Sequence, residues 1–301
     1  MLTITHVIPD SWGPFVDIRA CWLSCAERRS RVSVITPEQF PLACRTADPD
    51  DLFICWTLVD PGPIIKRDCY VAAVYSEALD EDGTKMLPEH HAHFRNFLAI
   101  VDKFDAVFAH TPRMAELIGQ IPGVAAHVMP VGWDLAAMGI PRWEAPRHTL
   151  IGYRGSPLGR RLEIIPMLHD AYRAGEFSDM IGQFGRSLFG RLDQTSADLY
   201  VAHSLVESFS TWRLWQVAST SATLVAEPGD TWPFVSGEHY IEIPRFTMDN
   251  FRANAVEILG HAKRYVRASP YARGAHELAR EYSVDAIVEK FILPAFEEMR
   301  D

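Results

Sequence analysis

The stretch of the sequence with the clearest chemical potential is LIGYRGSPLGRRLEII, at positions 150–165. The residues in it that suit the binding of a phosphate are Arg154, Gly155, Ser156, Arg160 and Arg161. The pattern predicts a strand that ends near Arg154 and a helix that begins near Gly159. Glycine lets a ligand approach the backbone, serine donates a hydrogen bond, and guanidinium binds a diphosphate through two parallel bonds. We therefore predict a diphosphate pocket here; the alternative is that Arg160 and Arg161 face solvent.

A second polar turn follows a predicted strand at 198–202 and precedes a predicted helix at 208–220. Its candidate ligand-binding residues are Glu207, Ser210 and Thr211. Hydroxyl and backbone N–H groups at the start of a helix hold phosphate, and a carboxylate accepts hydrogen bonds from ribose or sugar hydroxyls. The alternative for Ser210 is that it caps the helix without touching a ligand.

These turns need a scaffold that places strand ends side by side, and the rest of the sequence predicts one. Short β-type runs such as LTITHVI and DLFICWTLV alternate with helical segments along the whole chain. This alternation is typical of parallel sheets whose strands are joined by crossover helices. Ligands of such sheets bind at the carboxyl ends of the strands. The expected fold class is α/β.

Proline, glycine and mixed charges between 136 and 148 interrupt this alternation, which restarts with a predicted strand at 149–153. We therefore predict two Rossmann-like domains, one at 1–140 and one at 141–301. The last run, SVDAIVEKFILPAFEEMR, predicts an amphipathic helix that is broken at Pro294 and packs back on the first domain.

Composition limits the partners of the chain. Its 301 residues include 39 acidic and 29 basic side chains, so the net charge of −10 gives no global attraction to nucleic acid or anionic lipid. Contact with nucleic acid would have to be local. All five cysteines lie in the first quarter without zinc-ligand spacing, which predicts reduced core thiols. The start of the sequence does not resemble a signal peptide and no long apolar run follows, so we expect a cytoplasmic protein without a membrane span.

Between Ile151 and about Met299 several residues recur in a recognisable order: Gly155, Ser156, Arg160 or Arg161, Ser210, Arg213, Leu214 and the run Gly237-Glu238-His239-Tyr240. In these residues the segment resembles the C-terminal domain of the group 1 glycosyltransferases. In the first half, VMPVGWD is similar to the PxGxD turn that precedes the interdomain linker of that family. The resemblance implies a GT-B fold with an interdomain cleft. It also implies a nucleotide-sugar donor of the UDP, GDP or ADP type, held mainly by the C-terminal domain, while the N-terminal domain serves the acceptor.

The sequence departs from the family pattern in two places. Retaining members carry two glutamates with seven residues between them, and here Glu207 matches the first while Trp215 stands at the second. The glycine-rich turn after the first strand is represented by Gly13 alone, between Trp12 and Pro14. We still predict that Gly13 contacts the donor.

The resemblance further implies catalysis without a cofactor. In that case Arg154 together with Arg160 or Arg161 would neutralise the leaving diphosphate. The polar residue beside the anomeric carbon would be Glu77 or Asp10, each of which follows a predicted strand.

No metal site is predicted. The acidic runs at 48–51 and 80–82 have the composition of solvated turns rather than of a metal-binding DxD motif. His90, His91 and His93 are assigned to the solvated face of a helix.

The combined pattern favours an enzyme that transfers a hexose or similar sugar from a nucleotide sugar to an unidentified acceptor. One alternative is a non-catalytic nucleotide- or sugar-binding protein on the same fold, because a fold does not fix an activity. Another is a glycosyltransferase that acts on modified DNA bases, which would need a basic cleft within an acidic protein.

Overall fold

The computed structural model of the chain describes residues 2–10, 15–56, 69–76, 79, 88–138, 141–144, 146–154, 159–173, 175–180, 191–202, 212–265 and 269–300. The chain divides into two compact units. The first unit comprises Met1–Ala137 and Tyr282–Asp301, and the second lies within Met138–Glu281. Among the residues described, no helix is long and apolar enough to cross a membrane.

The first unit is built on a parallel sheet of six strands. They are β1 (Ile4–Val7), β2 (Val32–Ile35), β3 (Leu52–Cys55), β4 (Tyr70–Tyr75), β5 (Ala106–Ala109) and β6 (Ala126–Val128). Their order is β2-β1-β3-β4-β5-β6, and every neighbouring pair is parallel. Strand β2 lies on one side of β1, and β3 and all later strands lie on the other side. The point between β1 and β3 is therefore the switch point, where doubly wound sheets bind ligands.

The helices of the first half follow the strands as the alternation predicts. They are α1 (Phe15–Arg28), α2 (Phe40–Arg45), α3 (Pro88–Leu98), a 3-10 turn (Val101–Lys103), α4 (Pro112–Gly119) and α5 (Leu135–Met138). At the start of α4 the hydroxyl of Thr111 accepts the Met114 N–H at 3.1 Å, and Pro112 occupies the first turn, where its missing N–H does no harm.

The second unit repeats this winding with five strands. They are β7 (Thr149–Tyr153), β8 (Phe177–Asp179), β9 (Thr195–Tyr200), β10 (Thr223–Ala226) and β11 (Ile241–Glu242). The order β11-β10-β9-β7-β8 is again parallel throughout and puts the switch point between β7 and β9. Its helices are α6 (Arg161–Ala171), α7 (Trp212–Ala218), α8 (Phe251–Arg264) and α9 (Pro270–Glu281).

One strand of the second unit differs from the prediction in position, since the strand expected at 198–202 is β9, which begins at Thr195 and ends at Tyr200. Of the strand expected near 180–184, residues 181–184 lie outside the described residues, and β8 ends just before it at Asp179. The segment TSADLY has polar residues that are typical of a loop, yet all six of its residues are buried in β9.

The predicted break at Pro294 is wrong. The chain is helical from α10 (Val284–Ile287) through a π turn (Val288–Ile292) into α11 (Leu293–Arg300). Proline lacks an N–H and clashes with the carbonyl four residues earlier in an α-helix. The wider π turn directly before Pro294 accommodates this conflict, so the helix continues.

Charged side chains fasten this last helix within the first unit. Arg28 of α1 contacts Asp134 at 2.7 Å and Asp285 at 2.5 Å, and Arg29 contacts Asp285 at 2.6 Å and Glu289 at 2.5 Å. Glycine is required at the adjoining PxGxD turn, since Gly132 has a φ of +67° and a Cβ there would lie 2.8 Å from Ile287 Cγ1.

The cysteines are core thiols, as predicted. All five are buried thiols outside disulfide bonds, at positions 21, 25, 44, 55 and 69.

Two histidines near the switch point of the first sheet are buried in the neutral form. His6 stacks on Trp22 at 3.6 Å and accepts the Trp56 indole N–H through Nδ1 at 2.9 Å. His110 donates through Nδ1 to the Met129 carbonyl at 3.0 Å, because a carbonyl can only accept. Burial lowers the pKa of His6 to about 3 and the pKa of His110 to about 4.

We expect these two histidines to make the first unit sensitive to mild acid. Because the pKa values of both histidines are lower in the native state, below pH 6.5 the unfolded chain binds protons that the native state does not bind. Each histidine should then lower the unfolding free energy by about 2 kcal/mol between pH 7.5 and pH 5. His110→Asn should remove about half of the combined loss, as measured by urea unfolding at both pH values. Exposed His93→Gln serves as the control, and an equal loss in both variants would contradict this assignment.

Candidate functional site

The switch point of the second sheet gathers the predicted arginines at one edge. Arg154 directly follows β7, and α6 begins at Arg161 after Gly159, whose φ of +56° is a conformation that glycine adopts without strain. Arg213 lies in the first turn of α7. Parallel strands present their carboxyl ends at the same edge, so these positions lie together although the sequence separates them.

Arg154 is held by a buried ion pair. Its Nε and Nη2 donate to the two carboxylate oxygens of Asp198 at 3.4 and 3.1 Å, and its Nη1 donates to Gln216 Oε1 at 2.9 Å. Arg154 is 5% exposed and Asp198 is fully buried. The guanidinium is therefore engaged on three sides by the protein itself.

Arg160 forms a second ion pair, at the ends of β9 and β10. Its Nη1 donates to Glu227 Oε2 at 2.5 Å and to the Ala202 carbonyl at 3.2 Å, while Nη2 donates to the Phe246 carbonyl at 2.5 Å. Glu227 is fully buried, directly after β10. Arg160 therefore does not extend freely into solvent, which was the alternative interpretation of this position.

Arg161 and Arg213 lie against tyrosines. Arg161 donates through Nε to the Val201 carbonyl at 2.7 Å and lies 5.6 Å from the ring centre of Tyr200. Arg213 lies 5.4 Å from the ring centre of Tyr200 and 5.8 Å from that of Tyr153. Aromatic faces attract cations but carry no net charge, so they do not neutralise these guanidinium groups.

Arg213 differs from the paired arginines in its electrostatics. Its one hydrogen bond to a described residue is a long one, 3.4 Å from Nη1 to the Leu199 carbonyl. No carboxylate of the described chain lies within ion-pair distance of it. Burial, followed by repulsion from Arg154, lowers the pKa of Arg213 to about 10, against the attraction of Asp198. The edge thus holds a cation that an anionic ligand would stabilise.

Most of the remaining predicted site residues cannot be placed relative to this cluster, because they lie outside the described residues: Gly13, Glu77, Gly155, Ser156, Glu207, Ser210 and Thr211. Asp10 is exposed, three positions beyond the end of β1.

The other polar candidates also have definite positions. Trp215 is buried and packs edge-on against Phe234 at 4.9 Å, so it belongs to the core. Of the three clustered histidines, His93 is exposed as predicted, whereas His90 is buried. Within the described ranges, no group of three or more histidine, cysteine or acidic residues is arranged to hold a metal ion.

Sequence reasoning missed the carboxylate that organises the cluster, Asp198. A single acidic residue within a buried strand is a usable signal, because a buried charge must be paired. Its partner Arg154 is 44 residues away in the chain, so the pairing itself is not visible in the sequence.

The comparisons with known proteins rest on structure alone. No protein-family model and no curated protein sequence matches the chain. HepE of Anabaena, solved with UDP and glucose, superposes with a TM-score of 0.67 at 13% identity, covering 99% of this chain and 100% of HepE. Sucrose-phosphate synthase from Thermosynechococcus elongatus superposes with a TM-score of 0.67 at 9% identity, covering 100% and 99%.

TarM is a larger neighbour. It superposes with a TM-score of 0.59 at 14% identity, covering 83% of this chain but 55% of TarM, so the chain spans about half of its length. Identities this low establish the fold alone. Together with the two parallel sheets of equal winding, they identify it as the GT-B fold of two Rossmann-like units, as the sequence predicted.

We expect Arg154 to be essential for stability. Arg154→Gln leaves the buried Asp198 carboxylate without its cation, which should lower the unfolding free energy by about 3 kcal/mol in urea titrations. The double variant Arg154→Met/Asp198→Leu should recover most of this loss, because it removes both charges. Arg252→Gln, on the exposed face of α8, is the matched control. Equal stability of Arg154→Gln and the control would show that the pair contributes nothing.

Proposed function

We propose that the protein is a glycosyltransferase that takes a sugar from a nucleotide-sugar donor, whose diphosphate binds the arginine edge of the second unit. The donor is of the UDP, GDP or ADP type, and the acceptor is unidentified. The fold supports the class of enzyme, and several structural neighbours were solved with UDP. Because a fold alone does not establish an activity, the proposal depends on the chemistry of the site.

One observation carries the proposal, namely the uncompensated charge of Arg213. Arg154 has Asp198 and Arg160 has Glu227, but within the described chain Arg213 has no carboxylate of its own. Arg213 is half-buried, and a guanidinium that is partly removed from water loses hydration that an anion would replace. Its location at the carboxyl edge of a parallel sheet, at the switch point, is where such folds bind phosphorylated ligands.

The proposed chemistry follows from the charges. When the bond between the anomeric carbon and the diphosphate breaks, negative charge develops on the leaving phosphate oxygen. Fixed positive groups stabilise that charge more than they stabilise the intact donor, which is the condition for lowering the barrier. We propose that the arginines supply this stabilisation without a metal or other cofactor. Gly155, Ser156, Glu207, Ser210 and Thr211 are proposed as further donor contacts.

Two points extend this proposal. Asp10 and Glu77 are our candidates for the polar group that acts at the anomeric carbon, and Gly13 for a backbone contact; replacement of each carboxylate by its amide should lower turnover of the nucleotide sugar. We also propose a cytoplasmic location, which the five cysteine thiols favour because reducing compartments keep cysteines out of disulfide bonds.

We expect one of UDP, GDP and ADP to bind in isothermal titration at least tenfold more tightly than its nucleoside, with or without EDTA. Arg213→Gln should weaken binding of that diphosphate by about ten- to a hundredfold, since a charge-assisted bond to phosphate contributes about 1.5–3 kcal/mol. The same variant should be only slightly less stable than the parent, because among the described residues Arg213 has one long hydrogen bond and two aromatic contacts but no carboxylate partner.

The outcomes of this titration are distinct. Failure of all three diphosphates to bind at millimolar concentration would refute the donor site, and dependence on Mg²⁺ would refute metal independence. Binding without hydrolysis or transfer from the matching nucleotide sugar would leave a non-catalytic binding protein. Arg252→Gln is again the control for loss of an exposed arginine charge.

A further inference from the structure

Glu227 is connected to three different chain segments. Its Oε2 accepts the Ala202 N–H at 2.7 Å and the Arg160 Nη1 at 2.5 Å, and its Oε1 accepts the Phe246 N–H at 2.7 Å. The carboxylate thereby joins the segments that follow β9, β10 and β11 to the residue that precedes α6. Three donors around two oxygens hold a fully buried carboxylate in one orientation.

Part of the Arg160 guanidinium remains available to hydrogen-bond a ligand. The guanidinium has five N–H bonds, of which three point to Glu227, Ala202 and Phe246. Among the described residues, the Nε–H and the second Nη2–H have no acceptor. Arg160 is 17% exposed, so these donors lie at the rim of the edge rather than in the core.

We propose that Glu227 is a positioning residue, which fixes the guanidinium of Arg160 so that its remaining N–H groups face the donor diphosphate. This inference rests on the proposed function. A flexible cation loses rotamer freedom when it binds a phosphate, and a guanidinium that is already oriented avoids that loss. The distinctive consequence is that the orientation of Arg160, and not only its charge, should determine affinity.

Arg160→Lys tests this consequence directly, because lysine keeps the charge and can still pair with Glu227 but lacks the planar fork. We expect both Arg160→Lys and Arg160→Gln to weaken the diphosphate that binds the parent by about tenfold or more, while affinity for its nucleoside is unchanged. Glu227→Gln should weaken the diphosphate in the parent background but have no further effect on affinity in the Arg160→Gln background.

Each result has one interpretation. Full affinity in Arg160→Lys would overturn the positioning role, since charge alone would then suffice. Full affinity in a folded Glu227→Gln, with only its melting temperature lowered, would make Glu227 purely structural. The lysine variant decides the question if Glu227→Gln does not fold. Failure of UDP, GDP and ADP to bind the parent would refute the donor site itself, which is a separate and recognisable outcome.

A second inference comes from a pair of thiols in the core of the first unit. Cys44 lies on α2, and Cys69 directly precedes β4. Their sulfur atoms are 3.2 Å apart, and both residues are buried, in one apolar cluster that also contains Cys55. The sulfurs would need to approach by about 1.2 Å to reach the length of a disulfide bond, about 2.0 Å.

We infer that Cys44 and Cys69 form a reversible disulfide when a peroxide oxidises the protein. One thiolate attacks the peroxide, the O–O bond breaks, and a sulfenic acid and water result. The second thiolate then attacks that sulfur, the S–O bond breaks, and a second water leaves. Two thiols are oxidised and one hydrogen peroxide is reduced to two waters, so the electrons balance. Intracellular disulfides of this kind are transient.

Thiol counting tests the pair. After treatment of the native protein with hydrogen peroxide and quenching, the denatured chain should show two fewer free thiols than the five of the parent. Its mass should fall by two hydrogens, and a thiol reductant should restore both values. Cys55→Ser should still lose two thiols, whereas Cys44→Ser and Cys69→Ser should form no internal disulfide. A link that includes Cys55, or complete retention of the thiols, would overturn the inference.

Discussion

A guanidinium that leaves water must find acceptors for its N–H groups and a counter-charge, and the carboxyl edge of the second sheet is organised by this constraint. Asp198 satisfies it for Arg154 and Glu227 satisfies it for Arg160. Carbonyls at the end of β9 and beyond accept from the same group of arginines. Among the described residues, Arg154 has acceptors on three sides, whereas Arg160 keeps two N–H groups without an acceptor and Arg213 has no carboxylate; the proposed diphosphate site relies on these last two.

Charged side chains of the first unit also need counter-charges, but there the ion pairs join chain segments to one another. Arg28 and Arg29 find their carboxylates on the last helix and on the PxGxD turn, so these charges fasten one segment to another. His6 and His110 avoid the constraint because they remain neutral. The buried histidines near the switch point therefore offer no positive charge, and Arg19 donates to the Ile8 and Ile35 carbonyls there. The edge of the second unit gathers four arginines, Arg154, Arg160, Arg161 and Arg213, which supports the proposal that the donor diphosphate binds the second unit.

Local patterns predicted most of the fold, since alternating strands and helices and caps such as Thr111 are properties of short segments. Strand β9 was placed too late because Thr195, Ser196 and Asp198 are polar, and their burial depends on partners elsewhere in the chain. The π turn before Pro294 could not be predicted for a similar reason. A proline in the sequence indicates a break in the helix, whereas the π turn that keeps the helix continuous depends on how the last helix packs. Residue types identified the arginine edge, but Arg160 and Glu227 are 67 positions apart, so their pairing required the structure.

Helix α7 carries different residue types from those that the sequence resemblance leads one to expect. Trp215 stands at that position and packs on Phe234, which anchors the helix in the core. The next residue, Gln216, accepts from Arg154, and two positions before Trp215 the side chain of Arg213 lies on the two tyrosines. The helix thus presents a cation and an amide to the cluster where a carboxylate is the family pattern. A carboxylate would accept from ribose or sugar hydroxyls, whereas a cation favours phosphate. In the proposed donor site, α7 would therefore contact the diphosphate rather than the sugar.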